Sequence, residues 1–195
     1  MGADEGLRDR LVATGVALVT SDGVVALSLR EIARRAGVSH GAPRRYFPTH
    51  LELLSAIARE GFRDLAERAA AAMADAASAG GSDARAQLAA GARCYLEFAL
   101  TRRGMYELMF RHDLLESNRL GLRETSLPLF HRLTELVADA GPASGADPPL
   151  VAAALWANLH GIAQLWGWGS LPLATGLDDV DPLIRAALDA HLGAP

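Results

Sequence analysis

Ser28-Leu-Arg-Glu-Ile-Ala-Arg-Arg-Ala-Gly37-Val-Ser39-His-Gly-Ala-Pro-Arg-Arg-Tyr-Phe47 sets the architecture of the chain around it. Ser28 and Glu31 have the spacing of a capping box: the hydroxyl accepts the Glu31 amide and the carboxylate reaches back to the Ser28 amide. A short helix should follow through Ala36, with Leu29, Ile32 and Ala33 facing inward. Gly37 supplies a sharp turn, Ser39 resembles an N-cap, and a second short helix should end near Phe47, before Pro48. Two short helices joined by Gly-Val-Ser form a helix-turn-helix, whose second helix lies in the major groove of DNA.

The residue types suit that task. Ile32, Ala33, Val38 and Phe47 are placed to hold the pair against a preceding helix. Gly41 and Ala42 let the backbone approach the duplex. Arg44, Arg45 and Tyr46 offer long donors to base edges or phosphates. Ser28 and Thr49, each at a helix start, can place hydroxyl and amide donors on phosphate oxygens. Pro43 lacks an amide hydrogen and fits only a helix's first turn, so the reading helix should begin somewhat after Ser39, leaving His40 or Gly41 outside it.

Charge is distributed accordingly. The 195-residue chain carries a formal net charge of −4. Residues 1–50 nonetheless hold seven arginines against five acids, whereas residues 51–195 hold twelve against eighteen. Within Gly23–His50 the balance is Arg30, Arg34, Arg35, Arg44 and Arg45 against Glu31 alone. A local basic patch on an acidic protein captures phosphates without indiscriminate binding.

Outward from this segment the pattern is helical, with no run of alternating β-branched residues. A first helix is expected over Asp4–Thr20. A second capping box, Thr49-His50-Leu51-Glu52, should open a long helix to about Ala79. Gly80-Gly81-Ser82-Asp83 breaks the pattern. Helices should then cover Ala84–Thr101, Met105–His112 and Glu124–Ala140. Gly141–Pro149 reads as a linker. Leu150–Trp168 and Asp179–Leu192 complete an all-α chain, divided into a DNA-binding part at 1–50 and a sensing and dimerisation part at 51–195.

Residues 7–60 resemble the tetracycline-repressor (TetR) family: a first helix, a Ser cap followed by Arg-Glu-Ile-Ala, then Ala-Gly-Val-Ser-His-Gly, then Tyr-Phe-Pro before a long helix. The resemblance implies about nine helices, a two-fold homodimer and a C-terminal domain whose ligand moves the DNA-reading heads apart. It implies DNA contacts from Ser28, Arg30, Ser39, His40, Gly41, Ala42, Arg44, Arg45, Tyr46, Thr49 and His50. The chain departs from the family's Leu-Tyr at Pro43-Arg44 and from its frequent lysine at His50. Trp156-Ala-Asn-Leu-His160-Gly161 resembles a Trp…His-Gly signature of one family subgroup.

No Asp, Glu, Arg or Lys occurs between Asp147 and Asp178. Asn158, His160, Gln164 and several glycines argue against a membrane span and for a buried helix at a dimer seam. Leu155, Leu159, Trp166, Leu183 and Ala187 are the candidate dimer contacts. Phe62, Tyr95, Phe98, Met105, Tyr106, Met109, Phe110, Phe130, His131, Trp156, His160 and Gln164 supply the aromatic, Met and polar surface of a candidate pocket for a hydrophobic or aromatic effector. For each of these, simple core packing is an equal reading, and for His160 a hydrogen-bonded core histidine. Cys94, in an apolar stretch, reads as a small core residue.

Enzymatic classes lack their motifs: there is no Gly-x-Ser-x-Gly elbow, glycine-rich phosphate loop or His-Glu-x-x-His, and no Cys/His spacing suits a metal. No cofactor is implied. The acidic, polar start lacks the features of a secretory signal, so a cytoplasmic protein is expected. The remaining alternative is a helical small-molecule binder or scaffold without DNA binding.

Overall fold

The computed structural model describes residues 2–80, 83–142 and 145–194; 83% of it is helix, and no strand occurs among those residues. Its helices are α1 (Gly2–Asp22), α2 (Leu29–Arg35), α3 (Pro43–Tyr46), α4 (His50–Gly80), α5 (Ala84–Thr101) and α6 (Arg103–Met109). They continue with α7 (His112–Ser117), α8 (Leu122–Ala140), α9 (Pro148–Gly167), α10 (Ser170–Thr175) and α11 (Asp181–Leu192). Gly81 and Ser82 of the expected break, and Ala143 and Ser144 of the expected linker, lie outside the described residues.

Among the described residues eleven α-helices stand where about nine were expected, and the additions are short. Arg111 turns extended (φ −63°, ψ 125°) and separates α7 from α6. The Gly- and Pro-bearing stretch after α9 holds α10, because Gly169 takes φ 77° and Pro172 falls in a first turn that needs no amide hydrogen. Asn118 ends α7 in a left-handed conformation, and its side-chain oxygen accepts the Arg123 amide of α8 at 2.7 Å.

Compactness divides the described chain elsewhere than at residue 50. One unit comprises residues 1–64 and 102–126, the other 65–101 and 127–195. Two long helices, α4 and α8, belong partly to each.

In the first unit α1 packs against α2, α3 and α6. Leu11, Leu18, Ile32, Phe47, Leu53 and Ile57 are fully buried there. The α6 crossing is backbone on backbone: a Cβ added to Gly104 would lie 2.4 Å from the Val19 carbonyl oxygen and 3.1 Å from Gly23 Cα. Only glycine permits this approach, which sets α6 on the hinge between α1 and α2. Gly104→Val is therefore expected to cost about 1–3 kcal/mol of overpacking strain. Denaturant unfolding checks this, and an unchanged midpoint would contradict the packing described.

In the second unit α9 packs on α5, α10 and α11, and α11 on α5. Leu88, Leu96, Leu155, Leu159, Ile184 and Leu188 form its interior. Arg93 reaches Asp181 at 3.0 Å, and Arg85 pairs with Asp189, so two exposed ion pairs fix α5 beside α11. Cys94 is half-buried rather than a core residue. Among the described residues no helix is long and apolar enough to cross a membrane.

Candidate nucleic-acid interface and effector-sensing residues

The helix-turn-helix begins at Ser28, whose backbone is extended and whose hydroxyl accepts the Glu31 amide at 3.1 Å. The return half of the expected capping box is absent. Glu31 turns to Arg34 (2.6 Å) and Arg35 (2.9 Å), and the Ser28 amide donates to the Ala26 carbonyl instead. Two guanidinium donors outcompete one neutral amide for a carboxylate. The hydrogen bonds from Arg34, then Arg35, hold the Glu31 carboxyl down at about 2.

The turn closes α2 with paired backbone bonds, Val38 N to Ala33 O (3.0 Å) and Gly37 N to Arg34 O (3.2 Å), with Gly37 at φ 68°. This is a Schellman ending, which demands a left-handed residue where Gly37 stands. Ser39 does not cap α3. Its carbonyl accepts the Ala42 amide at 3.0 Å in a preliminary turn, and α3 begins only at Pro43. The late start expected from Pro43 is what the chain adopts, with His40 and Gly41 outside the helix. Pro43 and Phe47 are buried one turn apart, which turns the intervening Arg44 and Arg45 to solvent.

The charge on this face is narrower than five arginines. Arg35 also pairs with Asp22, a partner the sequence did not suggest, so Arg34 and Arg35 are neutralised by Glu31 and Asp22. Arg30, Arg44 and Arg45 are exposed and form no ion pair with any described residue. Ser39, His40, Gly41, Thr49 and His50 are exposed beside them, while Ala42 is half-buried. Tyr46 is half-buried and already interacts within the chain.

At the next helix both halves of the capping box form: Glu52 N donates to Thr49 Oγ1 (3.2 Å) and Thr49 N to Glu52 Oε2 (3.0 Å). Thr49 and Ser28 thus keep a hydroxyl for a phosphate, but their amides are committed. The donors left at each helix start are the first-turn amides, which have no intrahelical acceptor.

The expected pocket residues fall into two groups, one in each unit. In the first, Phe62, Met105, Tyr106 and Met109 are buried to 2% exposure or less. Phe110 meets Phe62 edge-on at 5.6 Å and Tyr106 at 5.0 Å. The second group is more polar. Trp156 Nε1 donates to Tyr95 Oη at 3.2 Å, and Tyr95 Oη lies 2.9 Å from His160 Nδ1. The Phe130 ring stands edge-on to Trp156 at 6.1 Å. Phe98 is buried, Gln164 half-buried and His131 exposed.

Indole N–H only donates, so the arrangement that uses the Tyr95 proton has Tyr95 donating to Nδ1 of a neutral His160. Burial agrees, pushing the His160 pKa below its ordinary value. The folded form therefore disfavours the imidazolium, and stability falls as pH drops through the unfolded-state value near 6.5, where the unfolded chain takes up the proton first. Melting temperatures between pH 7.5 and 5.5 should decline less for His160→Asn than for wild type; equal declines would contradict this assignment.

The expected dimer contacts lie mostly within the single chain. Leu155, Leu159 and Ala187 are 1%, 5% and 3% exposed, inside the second unit; Trp166 and Leu183 are half-buried. A helix apolar on every side does not reveal which face is inward. The outward stripe of α9 is Leu150, Ala154, Ala157, Asn158, Gly161, Leu165 and Trp168, at helical spacing. Leu150 is 69% and Trp168 63% exposed, with Leu173 of α10 at 89%.

The sequence also passed over Ser55 and Arg59 of α4, buried polar atoms without hydrogen-bond partners. The available signal was a serine inside the apolar run Leu53-Leu54-Ser55-Ala56-Ile57-Ala58.

A bihelical reader with unpaired, outward arginines, followed by a helical domain, defines a helix-turn-helix transcription regulator. Residues 11–57 match bacterial regulatory proteins of the tetR family, and residues 88–191 match the tetracyclin repressor-like C-terminal domain. The chain belongs to the TetR family of DNA-binding transcriptional regulators. It is similar to a solved protein of unknown function from Rhodococcus sp. RHA1, at 34% identity over 94% of this chain and 92% of that one, with a TM-score of 0.75. A transcriptional regulator from Rhodococcus sp. Rha1 shows 25% identity over 96% and 99% of the two chains, with a TM-score of 0.66. The multidrug binding protein EbrR, solved with imidazole, shows 26% identity over 96% of each chain and a TM-score of 0.63. No curated protein sequence matches the chain. Regulators of this family are generally non-enzymatic and bind operator DNA and small-molecule effectors, typically as dimers.

Proposed function

We propose that this protein is a cytoplasmic repressor that acts as a homodimer, without catalysis, and leaves its operator when a hydrophobic or aromatic effector binds. The observation that carries the reading is the trio Arg30, Arg44 and Arg45, exposed on the helix-turn-helix without an ion pair to any described residue. Arg44 and Arg45 meet base edges or phosphates, with Ser39, His40, Gly41, Ala42 and Tyr46 alongside. Ser28, Arg30, Thr49 and His50 grip the flanking phosphate backbone.

The outward stripe of α9, with Leu173 and the Leu183 edge of α11, is the face a second copy covers; the exposure of the large apolar side chains Leu150, Leu165, Trp168 and Leu173 supports this. Aromatic and Met residues support an apolar effector, as does the multidrug binding of EbrR. Release follows from linkage: an effector preferring the dimer whose heads mismatch adjacent grooves by about a hundredfold supplies roughly 3 kcal/mol of coupling. Footprinting on the DNA upstream of its own gene tests this. Two protected half-sites about 34 Å apart are expected. A folded dimer that gives no protection at low salt would instead be a small-molecule binder without DNA binding.

A further inference from the structure

Helix α4 carries two buried side-chain polar atoms without hydrogen-bond partners, Ser55 Oγ and the Nε of a half-buried Arg59. Ser55 is 0% exposed and its Oγ has no hydrogen-bond partner. Other helical hydroxyls of this chain bond to the carbonyl four residues back: Thr14 to Arg10 (2.7 Å), Thr20 to Val16 (2.8 Å) and Ser78 to Ala74 (2.9 Å). One turn after Ser55, on the same face, Arg59 has a buried Nε–H without an acceptor and forms no ion pair with any described residue.

The acids of this stretch are already engaged. Glu52 accepts the Thr49 amide and lies 3.7 Å from Arg119. Glu60 holds Arg63 at 2.6 Å, and Asp64 holds Arg102 at 2.8 Å. The next residue on the Ser55–Arg59 face is Phe62, 2% exposed, whose ring meets Phe110 edge-on at 5.6 Å. A cation, a hydroxyl and an aromatic wall thus share one helix face, and no described residue supplies a counter-charge.

We propose that Ser55 and Arg59 form an anion subsite that seats the carboxylate of an amphipathic organic acid, with its apolar body against Phe62 and Phe110. This deepens the effector reading above and rests on it. A planar guanidinium pairs best with a two-oxygen anion, and a neutral carbonyl would leave its charge uncompensated. The Ser55 hydroxyl then donates to the same group.

The test uses the full-length protein with two probe pairs, decanoate with decanamide and 2-naphthoate with 2-naphthamide, read by thermal melting and calorimetric titration. At least one acid is expected to stabilise the protein while its amide does not. Arg59→Gln should weaken that acid by roughly tenfold or more and Ser55→Ala by a few-fold. Without ligand, Arg59→Met should melt at or near the wild-type temperature, because the half-buried Arg59 forms no ion pair with any described residue. Sodium sulfate should give no Arg59-dependent stabilisation.

Binding by neither acid, equal binding of acid and amide, or an Arg59→Gln affinity equal to wild type would overturn the proposal. So would a lowered melting temperature in ligand-free Arg59→Met, which would make Arg59 a structural residue. Sulfate stabilisation equal to that of the acids would reduce the site to an inorganic-anion site and overturn the effector assignment. Operator binding by wild-type protein is measured separately, so loss of the regulator reading is distinguishable from loss of this one.

Discussion

Arg44→Ala is expected to weaken operator binding by about 1–3 kcal/mol at each half-site, or roughly 2–6 kcal/mol for a dimer on both. That is on the order of thirtyfold or more in affinity at fixed salt. The expectation rests on orientation: Pro43 and Phe47 are buried in the first unit, so Arg44 and Arg45 between them face outward, and Arg44 forms no ion pair with any described residue. Arg34→Ala is the informative contrast. Its charge is already neutralised by Glu31 at 2.6 Å, so its removal should cost operator affinity far less. Fluorescence anisotropy at several salt concentrations measures both. A larger loss for Arg34→Ala than for Arg44→Ala would reverse the assignment of the face.

Trp168→Glu is expected to turn the dimer into a monomer. Trp168 is 63% exposed at the end of the outward stripe of α9, and two-fold symmetry would bring two new carboxylates to one seam. The monomer keeps its reading helix but loses the second head, whose tethering contributes about 10²–10⁴ in avidity. Sedimentation equilibrium and operator titration should change together. A variant that remains dimeric would move the interface away from α9. Leu159→Ala is a useful companion, because Leu159 is 5% exposed and should alter folding stability rather than association.

Much of this was legible in the sequence because local chemistry dictates it. Gly37 has to be left-handed for the Schellman turn, Pro43 has to sit in a first turn, and Thr49 and Glu52 cap reciprocally as their spacing implies. The long helices were legible from apolar periodicity. What failed depended on contacts between residues distant in the chain. Glu31 took arginine partners instead of its own cap, and Asp22 drew off Arg35 across thirteen positions. The inward face of α9 was not legible because apolar residues surround it, so that periodicity gives no phase; packing against α5 and α11 sets it. The candidate effector residues scattered into two clusters for the same reason. Composition names residues fit for a pocket, and tertiary packing chooses among them.

Amide hydrogen exchange of the protein with and without an operator duplex examines the central proposition most directly. Slowed exchange concentrated in residues 28–50, strongest around Ser39–His50, is the predicted outcome. Protection confined to residues 65–101 or 127–195, with none in the bihelical segment, would contradict it.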